Sequence, residues 1–194
     1  MTITLSTTSS NDLIIVDVIN TQSSIHGTIT VSGSTLGSFT QRAEVDNGST
    51  NTACWRFYKV AASPLSSEII TVSSTISQYL DAVAYGVSGA NTVSPWQVAS
   101  VTGTTEPQSI TTSDAAFVTA NIVINGSVTT DTGWTAPTPN VSFGLWEYRI
   151  PTGAGTFTVS AAGATTQNVI LDAIAPAAGG GPTLFLRTLM GEGV

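Results

Sequence analysis

Residues 141–150 read VSFGLWEYRI, and their alternation decides the fold. Trp146, Tyr148 and Ile150 fall on one side of an extended chain, Glu147 and Arg149 on the other. Successive side chains of a strand point to opposite faces, so a two-residue period with one polar side marks an antiparallel sheet covered on one face. Residues 80–88, LDAVAYGVS, repeat the pattern with Val83, Tyr85 and Val87 on a common face.

Similar short runs spread outward from these two. They lie at 13–19, 25–31, 38–45, 54–61, 69–76, 96–101, 116–124, 155–161 and 167–174. The last of them is apolar on both alternating faces and fits the half-covered pattern less cleanly. Pro64, Pro95, Pro107, Pro137 and Pro139 all fall between runs, where a missing N–H removes no ladder bond. Asp46-Asn47-Gly48 and Asn125-Gly126 supply turns, because Asn and Gly tolerate positive φ. No ten-residue window carries helical periodicity. About eleven short strands with regular turn signals predict an all-β antiparallel β-sandwich, jelly-roll or immunoglobulin-like.

The chain has 194 residues, enough for one large β domain or two small sandwiches. A chain of this length buries roughly 70% of its unfolded surface and needs no disulfide or metal to fold. Only 9% of residues are charged, but 41% are hydrophobic, so a core can form, and Ser and Thr replace charge on the surface. The net charge is −7, and the cations are Arg42, Arg56, Lys59, Arg149 and Arg187 alone. Five scattered cations make no basic patch, which argues against nucleic acid and against anionic membrane surfaces. Cys54 has no partner for an intrachain disulfide. MTITLSTTSS has neither the basic nor the apolar region of a signal peptide, and no apolar run approaches the ~20 residues of a membrane helix. The expectation is a chain made and folded in a reducing cytoplasm, without membrane insertion.

The organisation expected is a β-sandwich domain over 1–176, a Gly-rich linker over 177–181 and an apolar C-terminal docking arm over 182–194. The arm, PTLFLRTLMGEGV, carries Leu184, Phe185, Leu186, Leu189 and Met190 around Arg187. Two fates stay open: a last strand on its own domain, or an arm that adds a strand to a neighbour or fills its groove.

Catalytic signals are thin. A nucleophile–His device needs a histidine, and His26 is the only one, in a Thr-rich stretch that predicts a surface or strand residue. GSTLG at 33–37 places its Ser one position early for a nucleophile elbow. Cys54, beside Trp55, reads as a small buried apolar residue, and one Cys with one His makes no zinc site. Glu44 and Asp46 share a strand face as a glycosidase pair would, but Arg42 shares it too and predicts a surface charge cluster. Asp46-Asn47-Gly48 and Asp131-Thr132-Gly133 are thin versions of a calcium loop and read as turns. The Gly runs at 153–155 and 179–181 lack the strand–loop–helix frame of a phosphate cradle. No catalytic residue, metal or cofactor is therefore expected. Of the four tryptophans, Trp55 and Trp146 lie in strands and predict core. Trp134, in the loop-like DTGWTAPTP at 131–139, is the candidate exposed aromatic for stacking on a glycan.

SFTQRAEVDNGSTNTACWRFYKVAASPLSSEIITVSS (38–74), followed by LDAVAYGVSGANTVSPW (80–96), resembles a β-sandwich module of bacteriophage tail, fibre and head-associated proteins and of some bacterial surface proteins. The matching residues are Phe39 and Arg42, Trp55, Pro64-Leu65-Ser66, Ile70 to Val72 and Gly89-Ala90-Asn91-Thr92. Glu147-Tyr148-Arg149 and the run at 167–174 fit the end of such a module, so the likeness spans roughly 10–175. It implies a non-enzymatic virion structural protein: a capsid decoration, head-fibre or tail-accessory subunit. Such a chain would be made in the host cytoplasm and carried in the particle, with other virion proteins and copies of itself as partners. The alternative is a carbohydrate-binding module for attachment to a host surface glycan.

Overall fold

A computed structural model describes residues 1–21, 26–46, 52–105, 107–125, 129–136, 144–160, 165–178 and 189–191, with the backbone alone at 125, 165–167 and 189–191. The described residues form strands and no helix. In order these are β1 (Thr2–Leu5), β2 (Asp12–Asn20), β3 (Ile29–Gly33), β4 (Gly37–Ser38), β5 (Thr40–Asp46), β6 (Ala53–Ala61), β7 (Glu68–Ser74) and β8 (Leu80–Val87). There follow β9 (Val101–Gly103), β10 (Gln108–Thr112), β11 (Phe117–Asn125), β12 (Gly144–Arg149), β13 (Gly155–Val159), β14 (Thr165–Ile174) and β15 (Leu189–Gly191). The fold is an all-β stack of antiparallel sheets, as the alternation predicted.

Four sheets form: β1-β7-β3-β4, β15-β8-β2-β6-β5, β12-β11-β14-β9 and β10-β13. The four sheets stack face to face, so that the described residues of 1–176 make two successive sandwiches. Alternation along each inner strand shows how. On β2, Ile14, Val16 and Val18 join a first core with Ile3, Leu5, Ile70 and Val72 of the outer sheet. Leu13, Ile15 and Ile19 of the same strand join a second core with Phe117, Val123, Ile170 and Ile174 of the other inner sheet. Val118, Ala120 and Ile122 of β11 then face a third core with Ile110, Phe157 and Val159 of the last sheet. Both inner sheets are covered on both faces, which is why all nine residues of β2 are buried. It also explains Glu147, which the alternation placed on a solvent face: the β10-β13 side covers it, and the residue is buried.

The two sandwiches repeat one plan. β2 pairs with β6 on one side and β8 on the other, and β11 pairs with β12 and β14 in the same way. The outer pair β1–β7 recurs as β10–β13. The second sandwich lacks strands matching β3, β4 and β5 among its described residues. Part of that place is taken by 131–134, where Trp134 donates to the Thr158 carbonyl at 3.2 Å and Asp131 accepts from the Ser160 hydroxyl at 3.1 Å.

Candidate functional site

The charges inside the molecule gather where the two inner sheets meet. Asp17 (β2), Arg56 (β6), Tyr85 (β8), Thr119 (β11) and Asp172 (β14) all occupy positions facing the second core. Pairing sets Asp17 beside Arg56 and Thr119 beside Asp172. Arg56 Nε and Nη2 donate to the two Asp17 oxygens at 2.7 and 2.8 Å. Its Nη1 donates to Asp172 Oδ2 and to the Thr119 carbonyl, both at 3.2 Å, and Nη2 also reaches Thr119 Oγ1 at 3.4 Å. These contacts engage all of the guanidinium's N–H groups. The Tyr85 hydroxyl donates to Asp17 Oδ2 at 3.1 Å and lies 2.7 Å from Thr119 Oγ1.

Asp172 links this centre to the rim. Its Oδ1 accepts from Ser100 Oγ at 2.6 Å and from Arg42 Nε and Nη2 at 3.2 and 3.1 Å. Arg42 also donates to the Val98 carbonyl and lies over the Trp96 ring, 4.4 Å from its centre. Trp96 in turn meets Tyr58 edge-on at 5.2 Å. The result is an alternating line, Asp17–Arg56–Asp172–Arg42, running from the interior outward.

Alternation of sign is what makes this burial tolerable, because an isolated buried ion costs several kcal/mol. Burial pushes the Asp17 carboxyl above its ordinary range, against the pull of Arg56. Burial is the largest single influence on Arg56 and opposes its charge, but Asp17, Tyr85 and Asp172 together outweigh it, and the guanidinium is held firmly protonated. The Tyr85 hydroxyl is pushed well up, first by burial and then by Asp17. The side chains of Asp17, Arg56 and Asp172 are 0% exposed, so no solute touches them. Chemically, the group can fix the register of two sheets. Asn121 adds to it by donating across the seam to the carbonyls of Val18 and Trp55.

A second polar centre shapes the first sandwich. Glu68 accepts from the Thr35 hydroxyl and from the amides of Thr35 and Leu36, tying β7 to the turn between β3 and β4. Burial raises this carboxyl, but those donors outweigh it and hold it below its ordinary range.

The expected site residues fall out differently. Trp134 is 8% exposed and packs in the third core, correcting the expectation of an exposed stacking residue. The cause is local: Gly133 takes φ +82, the Trp134 amide turns back to the Asp131 carbonyl, and the indole is driven under β13. His26, expected at the surface or in a strand, lies outside the strands with its side chain 3% exposed, 2.9 Å from Asp46 and edge-on to Trp55. Arg42 leaves the predicted surface charge cluster because a bulge between Gln41 and Ala43 breaks the alternation and turns it toward Asp172. Glu44 remains outside, accepting from Gln41. Cys54 is buried, and burial raises its thiol well up. Trp55 and Trp146 are core residues, as expected. In the tail, Leu184, Phe185, Leu186 and Arg187 lie outside the described residues. Leu189 and Met190 belong to β15, antiparallel to β8.

Among the described residues, no group of three or more His, Cys, Asp or Glu side chains is placed to hold a metal ion, and no helix is long and apolar enough to cross a membrane. Comparison with protein-family models, with curated proteins and with solved structures finds no match.

Proposed function

We propose that this chain is a non-enzymatic structural subunit of a bacteriophage particle, a capsid decoration, head-fibre or tail-accessory protein that acts in assembly or stabilisation. Its partners are then other virion proteins and copies of itself. The observation that carries the reading is β15: beyond the second sandwich the chain returns as a strand on an outer edge of the β8 sheet. A strand added to a sheet edge is a common way for subunits to join, since main-chain hydrogen bonds supply the contact. Two further points support it. The interior charges are spent on holding two sandwiches in register rather than exposed in a cleft. The likeness of residues 10–175 to phage sandwich modules points the same way. The glycan-binding alternative relied on Trp134, and the burial of that residue leaves it without a specific observation in its favour.

The test is a chain ending at Gly181. We expect it to keep the circular dichroism of the full chain and to disappear from purified particles when those are analysed by mass spectrometry. Undiminished incorporation would overturn the reading, and so would absence of the full-length chain from particles.

A further inference from the structure

The edge of β8 on which β15 lies has a counterpart in the second sandwich. There β14 occupies the place of β8, and its matching edge is filled by β9. The registers coincide. Counting from Leu13↔Val87 and from Phe117↔Ile174, Ala82 corresponds to Val169 and Ala84 to Leu171. β15 sets Leu189 opposite Ala84, Met190 opposite Val83 and Gly191 opposite Ala82. β9 sets Val101 opposite Leu171, Thr102 opposite Ile170 and Gly103 opposite Val169. Two three-residue strands, each ending in Gly, thus take one register on equivalent edges. Each also lies against the first strand of its outer sheet, β15 against β1 and β9 against β10.

The difference is in connection. β9 runs into β10 through residues 104–107, so slot strand and outer strand are consecutive. The slot on β8 is instead filled from the far end of the chain. Placed in a row, the C-terminal strand of one copy would enter the β8 slot of the next and lie beside its β1, as β9 lies beside β10 within one chain. Twelve residues lie between Pro176, which bridges to Ala90, and Leu189, and those thirteen steps span up to about 45 Å. Exchange between copies keeps every main-chain contact of the closed form, the condition for domain swapping.

We propose that the β8 edge is a strand-acceptor site whose occupant in the assembled state is the Leu189–Gly191 segment of a second copy. This rests on the assembly reading and names its acceptor and register. Since each copy gives one strand and takes one, reciprocal exchange closes a two-fold dimer and head-to-tail exchange builds a larger ring or an open row.

The test is Ala84→Cys with Leu189→Cys in a Cys54→Ala background, oxidised at low and at high protein concentration and run without reductant. Circular dichroism against the wild type verifies folding. Cross-linked dimers, trimers and higher species that grow with concentration are the expected result. A cross-linked monomer alone at every concentration overturns the exchange, and no cross-link at all overturns the register. The unmodified chain serves as a second probe: it should take up a labelled peptide of residues 182–194 by displacing its own strand, and failure to do so counts against the slot. Light scattering on the unmodified chain separates the two ideas. Multimers without interchain cross-links leave the assembly reading standing and remove only the exchange, whereas a monomer at all concentrations and absent from particles removes both.

Discussion

Arg56→Ala should be among the most damaging single substitutions in this molecule, and the reason is electrostatic rather than steric. The guanidinium is 0% exposed and serves Asp17 twice and Asp172 once. Asp172 keeps Arg42 and Ser100 when Arg56 is removed, but Asp17 keeps only the Tyr85 hydroxyl. Breaking a buried pair by deleting one partner costs about 3–5 kcal/mol. With a urea slope of about 2 kcal/mol per molar, that moves the unfolding midpoint down by about 2 M. Unfolding followed by tryptophan fluorescence reads it directly, since Trp55 and Trp146 are buried. The pH dependence gives the diagnostic sign. In the variant, Asp17 loses the charge that opposed desolvation, so its folded pKa rises further above the ordinary 3.8. The folded state then binds the proton more tightly than the unfolded state, and the deficit relative to wild type shrinks as pH falls through the raised pKa. The double variant Arg56→Met with Asp17→Leu removes the unpaired charge and should recover most of the loss. A double variant as unstable as the single one, or a deficit independent of pH, would show that lost packing and not the stranded carboxylate sets the cost.

Trp134→Ala should cost about 3–5 kcal/mol by differential scanning calorimetry or denaturant melts, as a buried aromatic does; an unchanged melting temperature would return Trp134 to the surface. Glu68→Gln should be destabilising at neutral pH, with the deficit closing on acidification. The wild-type carboxyl is held below its ordinary 4.5, so its contribution is present above that value and is lost as pH falls through the lowered folded pKa. Paired acid titrations of the two proteins measure it, and parallel curves would refute it. Tyr85→Phe should cost about 1 kcal/mol, the net worth of its hydroxyl contacts, and less in the Asp17→Leu background, where one of its partners is gone.

The fold was legible because the alternation at 80–88 and 144–149 survives as real strands, β8 and β12, and because Pro64, Pro95 and Pro107 mark true gaps. The layering was not. A strand covered on both faces should read as nearly continuously apolar, and β2 does between its ends apart from Asp17, but β12 carries Glu147 and has the pattern of a half-exposed strand. Its carboxylate is buried by a neighbouring layer that no local pattern encodes. The run 96–101 predicts a strand, yet Trp96 makes a single bridge to Ile174 and the strand begins at Val101. The buried ion line leaves a signal in the sequence: Asp17 and Asp172 are each a lone charge inside an apolar run, and Arg56 follows Cys54-Trp55 in another. A charge there needs a partner of opposite sign on a facing strand. Trp134 misled because composition made 131–139 look like a loop, and it is one, but a loop filling the place of missing strands.

The repeated plan makes sense of the seam. Two sandwiches built on one strand plan present inner sheets of similar apolar composition, and apolar faces slide past one another at little cost. A slip of one residue would turn each strand's side chains to the wrong core. The line from Asp17 to Arg42 makes such a slip costly, because Arg56 must meet carboxylates from both sandwiches at once and no other cation faces them from β2, β6, β8, β11 or β14. A duplicated architecture also explains the interest of the β8 edge. The second sandwich fills the equivalent edge from its own adjacent chain and is thereby closed, whereas the first depends on a strand that arrives from the far end. The molecule is thus pinned at its centre by charge, while one edge is closed from the far end of the chain; the proposed exchange at that edge would join copies without loosening the body that carries them.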